Sequence, residues 1–343
     1  MHTFAALEAR ARQPFFEQVA TNIGISAEIT EKDFWVCWSL QQLFGLNVFA
    51  PHLTFKGGTS LSKVYGIIDR FSEDIDLIID RKFLGAIGDK DPEAAASKKQ
   101  RKKRIEILKE SCRAKVATEI LPALAETFGR VLPAGSQWRL SVADDDPDVQ
   151  TVIFEYPTCW PNAPAGYVKR VVRMEMGARS DDWPATEGTI TPFVAEQFPS
   201  AFTEPSCKVN TLAAERTFLE KAALLHEEQF RPREKPLPQG LSRHYYDLYR
   251  LIEAGVADRA IEDPALFERV VEHRKIFFGR SWIDYSTMEH GKLSLIPSKQ
   301  RIEEWRDDYK NMEQMFFTEP PSFDDLLAPI RTFERRFNGG MLH

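Results

Sequence analysis

Cysteine is scarce in this sequence, and its placement excludes several kinds of site. The 343 residues include four cysteines, far apart and without a C-x-x-C pair. This argues against a zinc ribbon, a thioredoxin-like site and a disulfide framework. None of the seven histidines forms an H-x-x-x-H pair, so we expect no zinc site.

Long apolar runs are missing as well. No stretch approaches the roughly 18 apolar residues that a membrane-spanning helix needs, and residues 1–18 lack the continuous apolar segment of a signal peptide. We therefore expect a cytoplasmic protein without a membrane partner. The net charge of −6 argues against a general polyanion binder but leaves room for a local basic patch.

The composition is that of a folded chain long enough for two domains. Hydrophobic patterning predicts helices, then a strand-rich middle, then helices again, which is typical of an α+β fold with a helical C-terminal domain. We predict N-terminal helices over residues 1–50, a core domain over 51–206 and a helical domain over 207–343.

The individual elements are predicted from the same patterning and from the positions of Gly and Pro. The predicted helices lie at residues 4–46, with a second helix starting near Thr30 and Asp33 as its cap partner, and at 208–230, 241–254, 264–277 and 299–317. A helix start is also predicted at 59–68, and residues 89–128 are predicted to be polar and then helical. The predicted strands lie at residues 53–56, 75–80, 138–143, 149–156 and 168–177, and residues 181–206 are predicted to be a loop.

The most informative stretch begins where a short strand ends at Gly57-Gly58. Glycines allow the backbone to approach a ligand closely. Thr59, Ser60 and Lys63 follow at the expected start of a helix, where exposed N–H groups, hydroxyls and a positive charge suit a phosphate. The spacing is not that of a Walker A loop, and a G-G-T sequence alone also occurs in ordinary turns.

Two carboxylates follow on the next predicted strand. Asp74 and Asp76 point to one face of that strand, whereas Ile75 and Leu77 point to the other. Carboxylates about 7 Å apart repel each other on a half-buried sheet. A solvated strand end tolerates this repulsion, and divalent cations with phosphate ligands would relieve it. The short separation from the glycine pair favours a cation site over a solvated strand end.

These two motifs, GGTSLSK and RFSEDIDL, resemble those of the AbiEii/AbiGii-type nucleotidyltransferase toxins, a branch of the DNA polymerase β-like nucleotidyltransferase superfamily. The segments EKDFWVCWSLQQLF, VVRMEMGAR, ERTFLEKAALLH and SRHYYDLYRL are also similar, so the resemblance covers nearly the whole chain. It implies a minimal nucleotidyltransferase core, with a mixed sheet and flanking helices, followed by a helical domain. The nucleotide contacts that it implies are Gly57, Gly58, Thr59, Ser60, Lys63, Ser72 and Lys221.

The resemblance also implies a third carboxylate on a neighbouring strand, completing a metal site with Asp74 and Asp76. Glu175 in VVRMEM is the better match, and Glu155 on the preceding strand is the alternative. Either residue can instead be a plain charge on a strand face.

Two positions in the helical part match family motifs and are predicted to be catalytic. Lys221 lies on an apolar helical stripe, where it either extends its ammonium from the edge of the core or binds a triphosphate. Asp247 follows Arg243 by one helical turn, so it either forms an i,i+4 pair or acts in the site.

A run of basic residues stands out in an acidic chain. It is either a solvated helix face or an RNA-backbone contact. Its members are Lys98, Lys99, Arg101, Lys102, Lys103 and Arg104.

By resemblance, the function is that of a metal-dependent nucleotidyltransferase toxin. It would use Mg²⁺, with two ions expected, to transfer a nucleotide from an NTP to an RNA acceptor, with the tRNA 3′ end favoured. Its setting would be a toxin–antitoxin or phage-defence system with a winged-helix antitoxin as partner. The alternatives are a nucleotidyltransferase that modifies a protein or small molecule, and a nucleotide-binding regulatory module without transfer activity.

Overall fold

A computed structural model of the chain describes residues 1–146, 150–162 and 168–339. The chain divides into two units. The sheet unit consists of Met1–Tyr65 and Phe71–Leu212, and the helical unit consists of Gly66–Arg70 and Ala213–His343. The three-part domain division made from the sequence stays a prediction.

A mixed seven-stranded sheet forms the centre of the sheet unit, in the order β3-β4-β5-β2-β1-β7-β6. Strand β2 runs parallel to β5 and β1 runs parallel to β7, whereas β1–β2, β3–β4, β4–β5 and β6–β7 are antiparallel. The strands are β1 (Leu53–Lys56), β2 (Asp74–Ile79), β3 (Arg139–Val142), β4 (Thr151–Glu155), β5 (Val171–Gly177), β6 (Ala185–Ile190) and β7 (Cys207–Leu212).

Helices flank this sheet and make up the helical unit. Those of the sheet unit are α1 (His2–Ala5), α2 (Ala9–Ile23), α3 (Ala27–Phe44), α4 (Gly57–Lys63), α5 (Lys98–Lys115), α6 (Leu121–Val131) and α7 (Phe193–Gln197). Those of the helical unit are α8 (Ala214–Gln229), α9 (Arg243–Glu253), α10 (Val256–Ile261), α11 (Pro264–Phe277), α12 (Ile302–Lys310) and α13 (Phe323–Phe337).

The core of the sheet unit lies between one face of the sheet and helix α3. Trp35 and Trp38 of α3 are completely buried, and their rings lie 5.7 and 5.8 Å from the ring of Phe154 on β4. Alternation along β2 and β5 places their apolar side chains on this buried face. The polar side chains therefore lie on the opposite face, which we call the carboxylate face because it carries Asp74, Asp76 and Glu175.

The helical unit has an aromatic core of its own. The ring of Tyr245 on α9 lies 5.0 Å from Trp305 and 5.2 Å from Phe323, and its hydroxyl donates to the carbonyl of Leu295 at 2.7 Å. Such a bond satisfies the polar end of a buried tyrosine. No helix in the described part of the chain is long and apolar enough to cross a membrane.

The predicted α+β class, with a mixed sheet and a helical C-terminal part, is confirmed, but several element predictions were wrong. Helix α3 begins at Ala27, ahead of the predicted start near Thr30, because Ser26 is the residue that caps it by accepting from the N–H of Ile29. Residue 149, at the start of the predicted strand 149–156, lies outside the described residues.

Three other segments differ from prediction. The predicted loop 181–206 contains β6 and α7, and the predicted helix 208–230 starts with strand β7. Pairing of β6 with β7 explains both differences, since a paired edge ladder outweighs local propensity. The predicted helix 299–317 shortens to α12.

Candidate active site

The glycine motif and the carboxylate motif meet at one point of the sheet. Strand β1 ends at Lys56, which pairs with Asp76 on β2, and the chain turns into α4 at Gly57. Gly57 has a φ of +84°, and a Cβ at this position would lie 2.0 Å from the Oδ2 of Asp76. Only glycine fits, because a side chain would be both strained and in collision with the carboxylate.

Three hydroxyls of the motif are used to hold this turn in place. Thr59 donates to the carbonyl of Asp74 at 2.6 Å, and its hydroxyl lies 3.0 Å from that of Ser72. Ser60 donates to the carbonyl of Gly57 at 2.9 Å. Because Thr59 and Ser60 are 1% and 0% exposed, they position the glycine pair and the start of β2 from inside the protein.

Lys63 has a partner within the sheet unit. Its ammonium lies 2.7 Å from the carboxylate of Asp33 and 3.8 Å from the ring centre of Phe193. Burial alone would lower the pKa of Lys63, but the charge of Asp33 raises it. This geometry favours a structural role, and a phosphate contact by Lys63 stays a prediction.

The carboxylate face brings three acidic side chains together. In the parallel β2–β5 pair, Asp76 lies opposite Glu175 and Asp74 lies opposite Arg173. Burial, followed by the charges of Glu73 and Asp76, raises the pKa of Asp74 to about 6. Burial and the charges of Asp76 and Asp74 raise the pKa of Glu175 to about 7. The carboxylates are thus held where each disfavours the charge of its neighbours.

The alternative third carboxylate lies one strand further away. Glu155 on β4 is opposite Val171, and its carboxylate lies 2.5 Å from the guanidinium of Arg139. Glu155 already has a basic partner, and its strand β4 does not pair with β2. The register therefore favours Glu175 as the companion of Asp74 and Asp76.

Sequence reasoning missed two cations beside the carboxylates. The Nε of Arg173 lies 3.7 Å from Glu175, and its Nη1 lies 3.3 Å from Asp145. The ammonium of Lys32, which is 1% exposed, pairs with the carboxylate of Glu73. The period-2 spacing of Arg173 and Glu175 was a usable signal, whereas the long-range pairing of Lys32 left none.

The three charges of the EKD sequence in α3 each hold a different element. Glu31 accepts from the hydroxyl of Thr158 at 2.6 Å and from the N–H of Cys159 at 2.7 Å. Lys32 binds the segment before β2, as described above, and Asp33 binds α4 and accepts from the first N–H of α7 at 2.7 Å. Helix α3 therefore fixes the elements around the carboxylate face.

Asp247 lies in a buried ionic network of the helical unit. Its carboxylate accepts two bonds from Arg70, at 2.7 and 2.8 Å, and lies 2.8 Å from the ammonium of Lys221. Although burial would raise the pKa of Asp247, the charges of Arg70 and Lys221 lower it. The alternative predicted from the sequence, an i,i+4 ion pair between Asp247 and Arg243, was wrong, because Arg70 and Lys221 are the ion-pair partners of Asp247.

The imidazole of His244 adjoins this network. Its Nδ1 lies 3.3 Å from the ammonium of Lys221. Burial and then the charge of Lys221 lower the pKa of His244 well below its usual range. The ring is therefore neutral and can accept a hydrogen bond from Lys221.

The basic run forms the first two turns of helix α5, behind Ser97, which caps the helix. Arg104 donates to the carbonyl of Asp91 at 2.7 Å. Lys98, Lys99 and Lys102 are exposed, and within the described residues no ion pair neutralises them. Positive charges at a helix N-terminus oppose the helix dipole, so folding alone does not favour this arrangement.

The carboxylate face fits a hard divalent cation only in part. Among residues 1–146, 150–162 and 168–339, no group of three or more His, Cys, Asp and Glu side chains gathers closely enough to form a metal cage. Mg²⁺, however, is usually held by one or two carboxylates, with substrate phosphates as further ligands. Neighbouring acidic groups with raised pKa values are consistent with such an incomplete site.

Comparison with known proteins identifies the family. Residues 38–329 match the model of a family described as nucleotidyl transferase AbiEii toxin, type IV toxin–antitoxin system. Since this match covers most of the chain, the protein belongs to that family, and the family and activity class predicted from the sequence are confirmed. It is a nucleotidyltransferase toxin, a class that implies an NTP substrate and an antitoxin partner.

Among solved structures, the chain is similar to MenT4, a nucleotidyltransferase toxin from Mycobacterium tuberculosis. The two share 16% sequence identity with a TM-score of 0.42, and the alignment covers 94% of this chain and 97% of that chain. A search of curated proteins found no match.

Proposed function

We propose that this protein transfers a nucleotide from an NTP to an RNA acceptor in a Mg²⁺-dependent reaction. The observation that carries the proposal is the register that places Asp74, Asp76 and Glu175 on one sheet face, beside a glycine with no room for a side chain. A tRNA 3′ end is the acceptor that the family resemblance favours.

Asp74 and Asp76 are the proposed metal ligands, for two Mg²⁺ ions, with Glu175 as the third carboxylate. When bound, the metal ions neutralise the phosphoryl oxygens and activate the attacking hydroxyl. As an alternative to ligating metal, Glu175 is proposed to accept the proton of the acceptor hydroxyl, the role of a general base.

The phosphates of the NTP are proposed to lie against Gly57 and Gly58. These residues open α4, and no side chain in the described part of the chain caps that helix start. The bound phosphates can therefore approach the backbone next to Asp76. The proposed role of Thr59, Ser60 and Ser72 is indirect. Their hydroxyls hold the turn and the start of β2 in place.

Lys221 and Asp247 are proposed to support nucleotide binding within the helical unit, on the basis of the family motifs in which they lie. Asp247 holds the ammonium of Lys221 at 2.8 Å. Its role is that of a positioning residue, because Arg70 and Lys221 occupy its carboxylate oxygens.

For the biological setting, we propose a cytoplasmic toxin of a toxin–antitoxin or phage-defence system, with a winged-helix antitoxin. The basic run of α5 is the proposed contact with the RNA backbone. Its exposed lysines carry unneutralised charge, which suits phosphates and gives no preference for sequence.

The test is incubation of the protein with total RNA and each α-labelled NTP in turn, with and without Mg²⁺. We expect Mg²⁺-dependent label in RNA with one or a few NTPs, and concentration of the label in tRNA. Label only in protein or in a small molecule would refute the RNA acceptor. Bound NTP without any transfer would refute catalysis. Asp76→Asn should abolish transfer, and the exposed control Asp89→Asn should retain it.

A further inference from the structure

A cavity of about 920 Å³ opens in the sheet unit at the ends of β3, β4 and β5. Trp138 and Arg139 line it at the start of β3, and Val171 lines it at the start of β5. Arg12 and Tyr156 line it from the core side. None of these residues has a part in the site described above.

The cavity adjoins the carboxylate face. Val171 pairs with Glu155 of β4, and it lies two positions before Arg173, the residue opposite Asp74. Because side chains alternate along a strand, Val171, Arg173 and Glu175 share one face. The cavity therefore begins within a few residues of the proposed metal ligands, at the end of the sheet where β2 and β5 start, with Arg12 and Tyr156 lining it from the core side.

Sheet order fixes which substrate approaches from the cavity. Gly57 follows β1, on one side of β2, and the cavity lies beyond β5, on the other side. In phosphoryl transfer the attacking and leaving oxygens are roughly in line. If the departing phosphates lie at Gly57, as the proposed function requires, the attacking hydroxyl must come from the β5 side.

The lining suits the end of a nucleic-acid strand. Trp138 is partly exposed and offers an aromatic face for a base. The side chain of Arg139 is 69% exposed and pairs with Glu155, which also lines the cavity, so Arg139 can reach a phosphate by exchanging this partner. The Nε of Arg12 and the hydroxyl of Tyr156 are buried without a hydrogen-bond partner among the described residues, although buried polar groups are normally paired.

We infer that this cavity binds the 3′-terminal nucleotides of the RNA acceptor, with a nucleobase on Trp138 and a backbone phosphate at Arg139. The volume exceeds what one nucleotide needs, so a short single-stranded tail fits better than a blunt duplex end. The inference rests on the proposed function and gives its acceptor a position.

The test is a binding cycle with a stem–loop RNA that carries a three-nucleotide single-stranded 3′ tail. One version of the RNA has normal tail bases and the other has abasic residues in the tail. For the wild-type protein we expect the abasic tail to weaken binding roughly tenfold, as loss of base stacking does. For Trp138→Ala the two RNAs should bind equally, and Trp138→Phe should restore the difference.

Arg139 has a matched control. Arg139 pairs with Glu155, and Arg130 pairs with Glu126 at a similarly exposed surface position. Arg139→Ala should weaken binding of the tailed RNA severalfold, whereas Arg130→Ala should leave it unchanged. Both variants keep NTP binding if the cavity serves the acceptor.

The outcomes separate this inference from the proposed function. If the wild type labels RNA but Trp138→Ala still distinguishes normal from abasic tails, the cavity is not the acceptor site and the nucleotidyltransferase proposal stands. If the wild type labels no RNA and binds both tails equally, both proposals fail. Equal effects of Arg139→Ala and Arg130→Ala would also overturn the role of Arg139.

Discussion

The acidic side chains of the sheet unit and of the helical unit meet opposite surroundings. Asp74 and Glu175 face other carboxylates, and their pKa values are raised to about 6 and about 7. Asp247 is completely buried, yet Arg70 and Lys221 lower its pKa. The carboxylate face lacks sufficient positive charge of its own, whereas the carboxylate of Asp247 is paired with two cations within the helical unit.

This difference indicates what each region contributes. A cluster of like charges destabilises the folded chain unless a cation binds, so it is explained by a ligand. A buried carboxylate that is paired with two cations needs no further cation, and removing its charge leaves those cations uncompensated. Substitutions in the first region should therefore affect chemistry, and those in the second should affect stability first.

The largest expected effect is on transfer activity at the carboxylate face. Asp74→Asn or Asp76→Asn should lower the rate of nucleotide transfer at least about a thousandfold, because several kcal/mol of charge stabilisation depend on the metal ions. The melting temperature should hold or rise, since repulsion is relieved. Near-wild-type transfer by either variant would rule out the proposed site.

In the helical unit, Asp247→Asn should lower the free energy of unfolding by about 3–5 kcal/mol, because Arg70 and Lys221 lose their counter-charge. Lys221→Met should be tolerated better, since Asp247 keeps both bonds to Arg70. Denaturant unfolding measures both effects.

NTP affinity then decides between the two interpretations of Lys221. If Lys221 contacts the nucleotide, Lys221→Met binds NTP more weakly while remaining folded. Unchanged affinity would leave Lys221 with a purely structural role.

The next effect is expected at Gly57, where an added side chain would cause both backbone strain and a clash. Gly57→Ala should destabilise the protein by about 1–3 kcal/mol and also abolish transfer, because the new Cβ displaces the Asp76 carboxylate. Gly85→Ala is the matched control, with a φ of +79° and no atom of the described residues within 4 Å of the added Cβ. Comparable loss of transfer in both variants would show that strain alone, and not contact with Asp76, explains the need for glycine.

For the basic run, Lys99→Gln, Lys102→Gln and Lys103→Gln together should weaken RNA binding about tenfold. The slope of log affinity against log salt should fall by up to about 3, one for each lost phosphate contact. Affinities measured at two salt concentrations test this, and NTP binding should stay unchanged.

A control with Lys82→Gln, Lys299→Gln and Lys310→Gln makes the same change in net charge at other exposed positions. If the two triple variants behave alike, net charge rather than α5 governs binding. The RNA contact would then belong elsewhere, with the Arg- and Lys-bearing connector at residues 231–235 as the next surface to test.

The smallest expected effect is the pH dependence of stability without metal. Asp74 and Glu175 have raised pKa values in the folded state, so the folded chain binds more protons than the unfolded chain between about pH 4 and pH 7. The contribution of these two carboxylates to stability should therefore fall by about 1 kcal/mol as the pH rises through this range, because solvent screens the half-exposed Glu175. The histidines His226 and His244, whose pKa values are lowered by burial, contribute with the opposite sign. Melting of the wild type and of Asp74→Asn in EDTA at pH 5.5 and pH 8 measures the carboxylate contribution as the difference between the two proteins.

The contribution of Asp247 to stability changes with pH in the opposite direction. Its lowered pKa gives a contribution that is present above about pH 4 and is lost only as the pH falls below that value. The two regions can thus be told apart by the pH window in which each affects stability. A metal-free stability that changes equally in the wild type and in Asp74→Asn between pH 5.5 and pH 8 would contradict the repulsion at the carboxylate face.

The chemistry-bearing part of the sheet was predictable from sequence because its signals are local. The alternation at Asp74-Ile75-Asp76 identified a strand with two faces, and Gly57-Gly58 identified a turn. The β2–β5 register, which brings Glu175 beside Asp76, follows from parallel pairing that no short segment encodes.

Long-range pairing explains the other errors. Asp247 binds Arg70, a residue 177 positions away, and the near neighbour Arg243 was the only partner visible in the sequence. Lys63 also has a partner outside its own helix, Asp33 of α3. In β7, the alternation of Val209 and Thr211 was a usable strand signal that the adjoining helical pattern obscured.

The most direct test of the central claim is thermal unfolding during titration with Mg²⁺ at pH 8, where the carboxylates of the sheet face are ionised. If Asp74, Asp76 and Glu175 form an incomplete cation site, saturating Mg²⁺ raises the melting temperature of the wild type by about 3–8 °C. The same titration leaves Asp74→Asn and Asp76→Asn unchanged. A shift of equal size in all three proteins, or none in the wild type, would contradict the account.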